Sequence, residues 1–571
     1  MAKSQKEEVK FWEEQVRLGE KFRKETGDYD SWDRWKKYYK NDFNDMVLPV
    51  NLIFSIGRSI IPRVYFRNPQ VVCTPMKNGM QLHAKVVEAL DNWMVRRIGM
   101  KNAMKKVIQD TFLSGTGLLK IGYDSEFGYD PEEASLAEEP IAWDGYSREE
   151  ERPEYNSLII PGMPWTKRVN PRDFLVPWGT EDLYEAHWAV HRVMRRLDDI
   201  KADPKYENTS GLKATHTQKD REELDIPKDI YAEDTEAEWV ELFEIYDKRE
   251  RRIKVVASGH EKFLRNEEDT LHDGEIPFEP LVFNDEGDSF WGISDCKIIE
   301  PQQLELNEIR TQYQQHRKIS LMKLLVQKGA ISPEEKEKLL MGDPGVLVEV
   351  NDLHNSVEAL APHIPPDLLM AAREARQDIR ETVGFSRNQM GEFDDSTRRT
   401  ATEASIVQQA SLIRVDERRD VAADLFGNAV ARMNRFIFEN WSDSHVVQIL
   451  GHDGARHWVS YTGAQIKGDY DIRVDPESSL PVSKDMRKQE AIELFQALGQ
   501  VPPEAGIVNH RELARYLIEQ YEGANPDKIL QPEPESPGGS PETAVPLEQY
   551  VQQSGGAADA AIPLQMSTMP R

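Results

Sequence analysis

From Ala401 to Asn440 the sequence runs forty residues without a proline and keeps a helical texture throughout. At 1.5 Å per residue that is a rod of about 60 Å, roughly twice the width of a small domain. A fold that contains such a rod must give it a long surface to lie on. Val421, Leu425, Met433 and Ile437, with Phe426 and Ala429, supply one apolar face. Thr400 and Glu403 form a capping box that starts the helix at about Ala401. Gly427 is the one weak point, where a kink is expected. A polar loop precedes the helix, and the stretch "SRNQMGEFDDSTRRTATEASIVQQ", Ser386 to Gln409, runs from one into the other. It contains no nucleophile elbow, metal cage or phosphate cradle.

Two more helical segments stand upstream. Ile298 to Ser320 is helical in pattern but polar, and Leu306, Ile309, Tyr313 and His316 recur at steps of three and four. That narrow seam is the pattern of helices that pack on neighbouring copies. A compact unit follows. Ser332 fits an N-cap, Pro333 the first helical position and Glu335 the return arm of a capping box. "GDPG", Gly342 to Gly345, is a turn and "VLVEV" a strand. "PPDLLMAAREARQDIRETVGF" then returns as an Ala- and Arg-rich helix.

The rest of the chain mixes helices and strands, so the fold class is α+β. Trp12, Val16, Trp32, Trp35 and Tyr39 mark two amphipathic helices between Lys6 and Lys40. Met46 to Phe66 is apolar, but Pro49, Arg58, Pro62 and Arg63 interrupt it, which predicts a buried helix and no membrane span. "QVVCTP" reads as a strand, Gln81 to Leu113 as one or two helices and "LLKIGYD" as a strand. Asp124 to Glu154 holds twelve acidic and two basic residues and predicts an exposed loop. "SLIIPG", "DFLVPW", "HWAVHRVM", "WVELFEIYD" and "RIKVVASG" are strand candidates, the last two a hairpin around "KRERR". Leu197 to Glu238 predicts a short helix and then irregular chain. "HVVQIL", "HWVSY" and "YDIRVD" are strands after the long helix, and Asp485 to Ala497 and His510 to Tyr521 are short helices. From Gln531 the Pro-, Gly- and Ala-rich composition predicts disorder. The 571 residues suggest three to four domain-sized units.

Composition excludes several functions. The net charge of -28 argues against a protein that wraps DNA through a basic surface. Cys73 and Cys296 are expected as reduced, buried thiols, and no secretion signal is expected. "SGTG", Ser114 to Gly117, lies between a helix and a strand, the reverse of a phosphate-binding order, and reads as a helix C-cap and turn. His187 with His191, and His452 with His457, lack a third ligand at informative spacing, and "DSEFGYDPEE" lacks the calcium-loop register. No Gly-x-Ser-x-Gly elbow occurs. The expectation is therefore no enzyme, no cofactor and no metal.

Several stretches, in order, resemble the portal proteins of tailed bacteriophages, podovirus-like in type. "NLIFSIGRSIIPRVYFRNPQVVCTP" resembles their early helix and Asn-Pro turn. "DTFLSGTGLLKIGYD" is similar to their helix-Gly-strand junction and "RVNPRDFLVPW" to a strand of theirs. "GISDCKIIEPQQLELNEIRTQYQQHRK" resembles the start of the stem, and "RRTATEASIVQQASLIRVDERRDVAADLF" the helix that follows the tunnel loop. The resemblance implies a portal fold with long stem and wing helices, a small α/β clip and a strand-containing wing, assembled as a ring. It implies an N-terminal wing region at 1–297, stem helices at 298–320 and 366–384, a clip at 321–365 and a tunnel loop at 385–399. The long wing helix would be 400–441, wing strands 442–482, crown helices 483–530 and a disordered tail 531–571. No long C-terminal barrel helix follows, which departs from the family pattern.

The function implied is a channel at the unique capsid vertex, a homododecamer through which double-stranded DNA is packaged and ejected. The implied partners are other copies of the chain, the large terminase subunit, the major capsid and scaffolding proteins and a head-completion or tail adaptor protein. Assembly would occur in the host cytoplasm and the product would sit in the virion. Arg387, Asn388, Gln389, Arg398 and Arg399 would meet DNA phosphates, with Glu392, Asp394 and Asp395 limiting the attraction. The same arginines could instead bridge subunits. Leu306, Ile309, Tyr313 and His316 would form the intersubunit seam of the stem. The alternatives are a metal-dependent hydrolase and a tail or scaffold component that binds a portal.

Overall fold

A computed structural model describes residues 5–43, 47–65, 68–77, 79–123, 162–203, 205–217, 238–319, 323–326, 332–335, 337, 357–360, 367–384, 401–442, 444–450, 456–475, 484–499, 510–519 and 544–551. The acidic run after Asp124, the "VLVEV" strand, Thr400 and His452 lie outside them. The chain divides into two compact units, where length alone suggested three to four. Each unit is stitched from segments distant in sequence.

The first unit holds residues 1–30, 59–294 and 412–571. Its opening helix, α1 (Gln5–Thr26), buries Val9, Trp12, Val16 and Phe22, the three-and-four spacing of one helical face. Val9, Trp12 and Val16 join Leu175, Trp188, Val190, Phe243, Ile245, Val256 and Phe263 in one core. That core covers a six-stranded antiparallel sheet. Its strands are β4 (Phe174–Leu175), β5 (Trp188–Arg196), β6 (His216–Thr217), β7 (Glu238–Asp247), β8 (Arg252–Ala257) and β9 (Arg265–Glu268). β7 and β8 form the expected hairpin, with Asp247 opposite Arg252.

The short α6 (Leu197–Ala202) packs on β5 and β7, while α4 (Gln81–Arg97) and α5 (Met100–Ser114) pack on other strands of the unit. A second sheet orders β2 (Thr116–Tyr123) between β10 (Phe278–Val282) and β3 (Pro164–Val169). Every residue of β2 is buried, as expected of a central strand covered on both faces. β1 (Gln70–Pro75) pairs with β15 (Tyr470–Asp475). β13 (His445–Leu450) pairs with β14 (Arg456–Tyr461). Val545–Pro546, β16, lies parallel to β14, and Leu547 and Tyr550 after it are buried. This part of the tail is folded, against the disorder expected from Gln531. A proline is tolerated there because β16 is an edge strand. The short α10 (Gly463–Ile466), α11 (Lys484–Gly499) and α12 (His510–Glu519) complete the unit.

The second unit holds residues 31–58 and 295–411. It contains most of α2 (Tyr29–Tyr39), the start of α3 (Leu52–Val64), α7 (Asp295–Ile319) and α8 (Asp367–Val383). Two strands, β11 (Lys323–Val326) and β12 (Val357–Leu360), pair antiparallel. Residues 31–58, expected in the N-terminal wing, thus belong with the polar helices. The long helix α9 (Ala401–Asn440) is unbroken over its 40 residues, and the division between units falls within it, after Ser411. Among the described residues, no helix is long and apolar enough to cross a membrane.

Candidate functional site

The residues before α7 are set by a glycine junction inside the first unit. α5 ends at Gly115, whose φ of +87° fits a residue without Cβ and whose N–H bonds Thr111 O at 2.9 Å. A Cβ there would sit 1.9 Å from Gly292 O. The carbonyl ends of α5 are then closed from across the junction. Ser294 Oγ donates to Phe112 O and Leu113 O at 3.0 and 2.9 Å, and Gly292 N donates to Thr116 Oγ1 at 3.0 Å. "SGTG" is therefore the C-cap and turn the sequence suggested, held against "WGIS".

α7 itself is fastened by side chains that read backbone. Gln303 Oε1 accepts from Leu52 N at 2.9 Å while its Nε2 donates to Val50 O at 2.7 Å. Asn307 Oδ1 accepts from Val50 N at 2.8 Å and from Gln303 Nε2 at 2.9 Å. One turn further, Thr311 Oγ1 accepts from Leu48 N at 2.9 Å. Positions 303, 307 and 311 fall on one helix face, so three turns grip one extended segment. Glu300 adds an ion pair with Arg34 at 2.6 Å and accepts from Trp35 Nε1 at 2.9 Å. The sequence reading missed this ladder; its signal was the four-residue recurrence of short polar side chains.

The expected seam is divided. Leu306 is fully buried and Ile309 is 8% exposed within the single chain, whereas Tyr313 is half-buried and His316 exposed. α7 packs against α8, which buries Ala372, Ala375, Ile379 and Val383. From Gln312 to Lys318 no residue of α7 is buried. Leu304, Leu369 and Met370 are exposed apolar side chains of this unit. The Ser332 N-cap is present, its Oγ accepting from Glu335 N at 3.3 Å. The loop residues Arg387, Asn388, Gln389, Arg398 and Arg399 lie outside the described residues.

The long helix is held by its own polar groups as well as by its apolar face. Within the first unit, Leu425, Phe426, Ala429, Val430, Met433 and Ile437 are buried. Arg432 pairs with Glu279 at 2.5 Å and donates to Ile276 O at 2.8 Å, and Arg435 donates to Glu275 at 3.0 Å. Arg419 Nε donates to Arg63 O at 2.8 Å. Near this row is a cavity of about 330 Å³ lined by Tyr184, Lys248 and Asn428 among others. Its ionic groups are largely paired with one another.

Among the described residues, the histidines do not assemble a metal centre. His187 is exposed, while His191 is buried with Nδ1 3.2 Å from Glu244 Oε2. Lys120 Nζ lies 3.1 Å from the same oxygen, amid the rings of Tyr246, Phe278 and Trp165. Burial pushes the Glu244 carboxyl up, but the Lys120 cation and the His191 bond hold it well below the usual range. Burial, aided by the Lys120 charge, lowers His191 and keeps the imidazole neutral. Among the described residues no group of three or more His, Cys, Asp or Glu could hold a metal ion. Cys73 and Cys296 are buried and form no disulfide, as expected.

Residues 60–557 match the family described as Phage SU10 portal protein. No curated protein matches the chain.

Proposed function

We propose that this chain, which belongs to the Phage SU10 portal protein family and is a tailed-phage portal protein, closes into a ring of twelve copies that conducts double-stranded DNA. The family match carries the reading, because it spans both polar helices, the paired strands between them and the long helix in one run. In that ring α7 and α8 form the stem, with Tyr313 and His316 of α7 turned to the neighbouring copy. Segment 321–365 forms the clip, which docks the terminase motor and later the tail adaptor. The loop at 385–399 faces the duplex. Arg387, Asn388, Gln389, Arg398 and Arg399 make transient phosphate contacts there, while the acidic surplus of -28 per copy keeps the wall from gripping. Major capsid and scaffolding proteins surround the ring, which is assembled in the host cytoplasm and retained in the virion. The role is structural, and the motor supplies the chemical energy.

Electron micrographs of the purified full-length protein are the direct test. Annular particles with a central opening are expected; solitary solid particles overturn the reading. Arg398→Ala with Arg399→Ala should leave rings intact and lower the amount of packaged DNA. If packaging is unchanged, these arginines do not touch DNA.

A further inference from the structure

We propose that Asp91 is a neutral carboxylic acid in the folded chain and that its proton, donated to Asn434, fastens α4 to the long helix α9. The geometry is a buried pair of planar forks. Asp91 is 0% exposed and Asn434 2% exposed. Asn434 Nδ2 donates to Asp91 Oδ2 at 3.0 Å. On the other side of the pair, Asp91 Oδ1 and Asn434 Oδ1 are both buried, and neither has a hydrogen-bond partner. Two orphaned acceptors at one site are costly, and more so when one of the groups is charged. Carboxyl and carboxamide are both planar, and an acid–amide pair joined by two bonds is the arrangement in which these two oxygens become partners. One proton on Oδ1 satisfies both: the acid O–H donates to the amide oxygen while the amide N–H donates to Oδ2.

The surroundings favour the neutral form. From β1, Cys73 Sγ lies 3.4 Å from Asp91 Oδ2 as a weak donor. From α4 itself, Glu88 is the charged group that bears on Asp91, and it is a second carboxylate, already accepting from Cys73 N at 3.2 Å. From β14, the Tyr461 phenol is buried, and burial raises it. Burial pushes the Asp91 carboxyl up from 3.8 to about 7, with Glu88 adding to it and the Asn434 and Cys73 bonds opposing. The folded chain therefore holds a proton that the unfolded chain releases near the ordinary carboxylate value. Stability from this pair is complete below that value and is lost as pH rises through about 7. A cluster that joins β1, α4 and α9 makes the seating of the long helix dependent on pH.

The full-length protein tests this in two ways. In heat denaturation from pH 5.5 to 8.5, the wild-type midpoint should fall by on the order of 2 °C more than that of Asp91→Asn. In this variant an uncharged amide can make the same two bonds. Equal slopes for the two proteins overturn the proposal. Infrared spectra of wild-type protein with carboxyl-labelled aspartate need no variant to fold. A neutral aspartic-acid carbonyl band that persists at pH 6 and titrates away near 7 is expected, and its absence at pH 6 overturns the proposal.

Discussion

In the first unit, Lys120, Glu244 and His191 are ionic or ionisable groups sealed beneath aromatic rings. In the second, Gln303, Asn307 and Thr311 are uncharged groups ranged along one helix and bonded to a single extended backbone segment. The first arrangement sits in a core that surrounds it with apolar residues, so its attraction is strong only while every member is present. The second needs little apolar burial, which suits a helix whose later turns, Gln312 to Lys318, bury nothing. The contrast teaches that one unit is built to be complete in itself. The other secures its helices with modest polar bonds and leaves surface for something else.

The largest expected effect follows from breaking the sealed cluster. Lys120→Ala leaves the Glu244 carboxylate buried without its cation, at a cost of about 3–5 kcal/mol. Denaturant unfolding should record that loss. The double variant Lys120→Met with Glu244→Leu should restore most of it, since similar apolar volume replaces the pair without burying a charge. A single variant within about 1 kcal/mol of wild type would mean the cluster is not sealed, and the contrast between the units would fail.

The next effect is smaller and local. Asn307→Leu removes the acceptor of Val50 N–H and of one Gln303 amide hydrogen. The expected cost is about 1–3 kcal/mol. Amide exchange should quicken at Val50 first, because the Gln303 and Thr311 contacts hold Leu52 and Leu48 independently. Unchanged exchange at Val50 would show that the ladder adds little beyond packing.

Sequence order reveals what repeats locally. The long helix was legible to within a residue, because capping chemistry and an apolar face agree over forty positions. The β7–β8 hairpin was legible because two β-rich runs flank a short charged turn. Gly427 does not break its helix. A Cβ there would meet Val474 Cγ2 of β15 only at ordinary contact distance, 3.4 Å. Long-range pairings were not legible. Asp91 and Asn434 are 343 residues apart, and nothing near either announces the other. The grip of α7 on Leu48–Leu52 was hidden in the same way. The spacing of Leu306, Ile309, Tyr313 and His316 is legible in the sequence, but periodicity cannot say whether a partner is in the same chain.

That last ambiguity sets the smallest effect on subunit stability and the sharpest test of the comparison. Leu306 and Ile309 are occupied inside the chain, so Leu306→Ala should cost about 2–5 kcal/mol whatever the state of assembly. Tyr313 and His316 have surface to spare. Their replacement by Ala should change unfolding of the isolated subunit by less than about 0.5 kcal/mol. In the proposed ring, however, those side chains meet the next copy, and the fraction of protein recovered as rings should fall, read by light scattering at matched concentration. A variant that lowers subunit stability as Leu306→Ala does would show that the seam is wholly internal. One that leaves both stability and ring yield unchanged would move the neighbour's contact to the exposed Leu304, Leu369 and Met370, which the same pair of measurements can then examine.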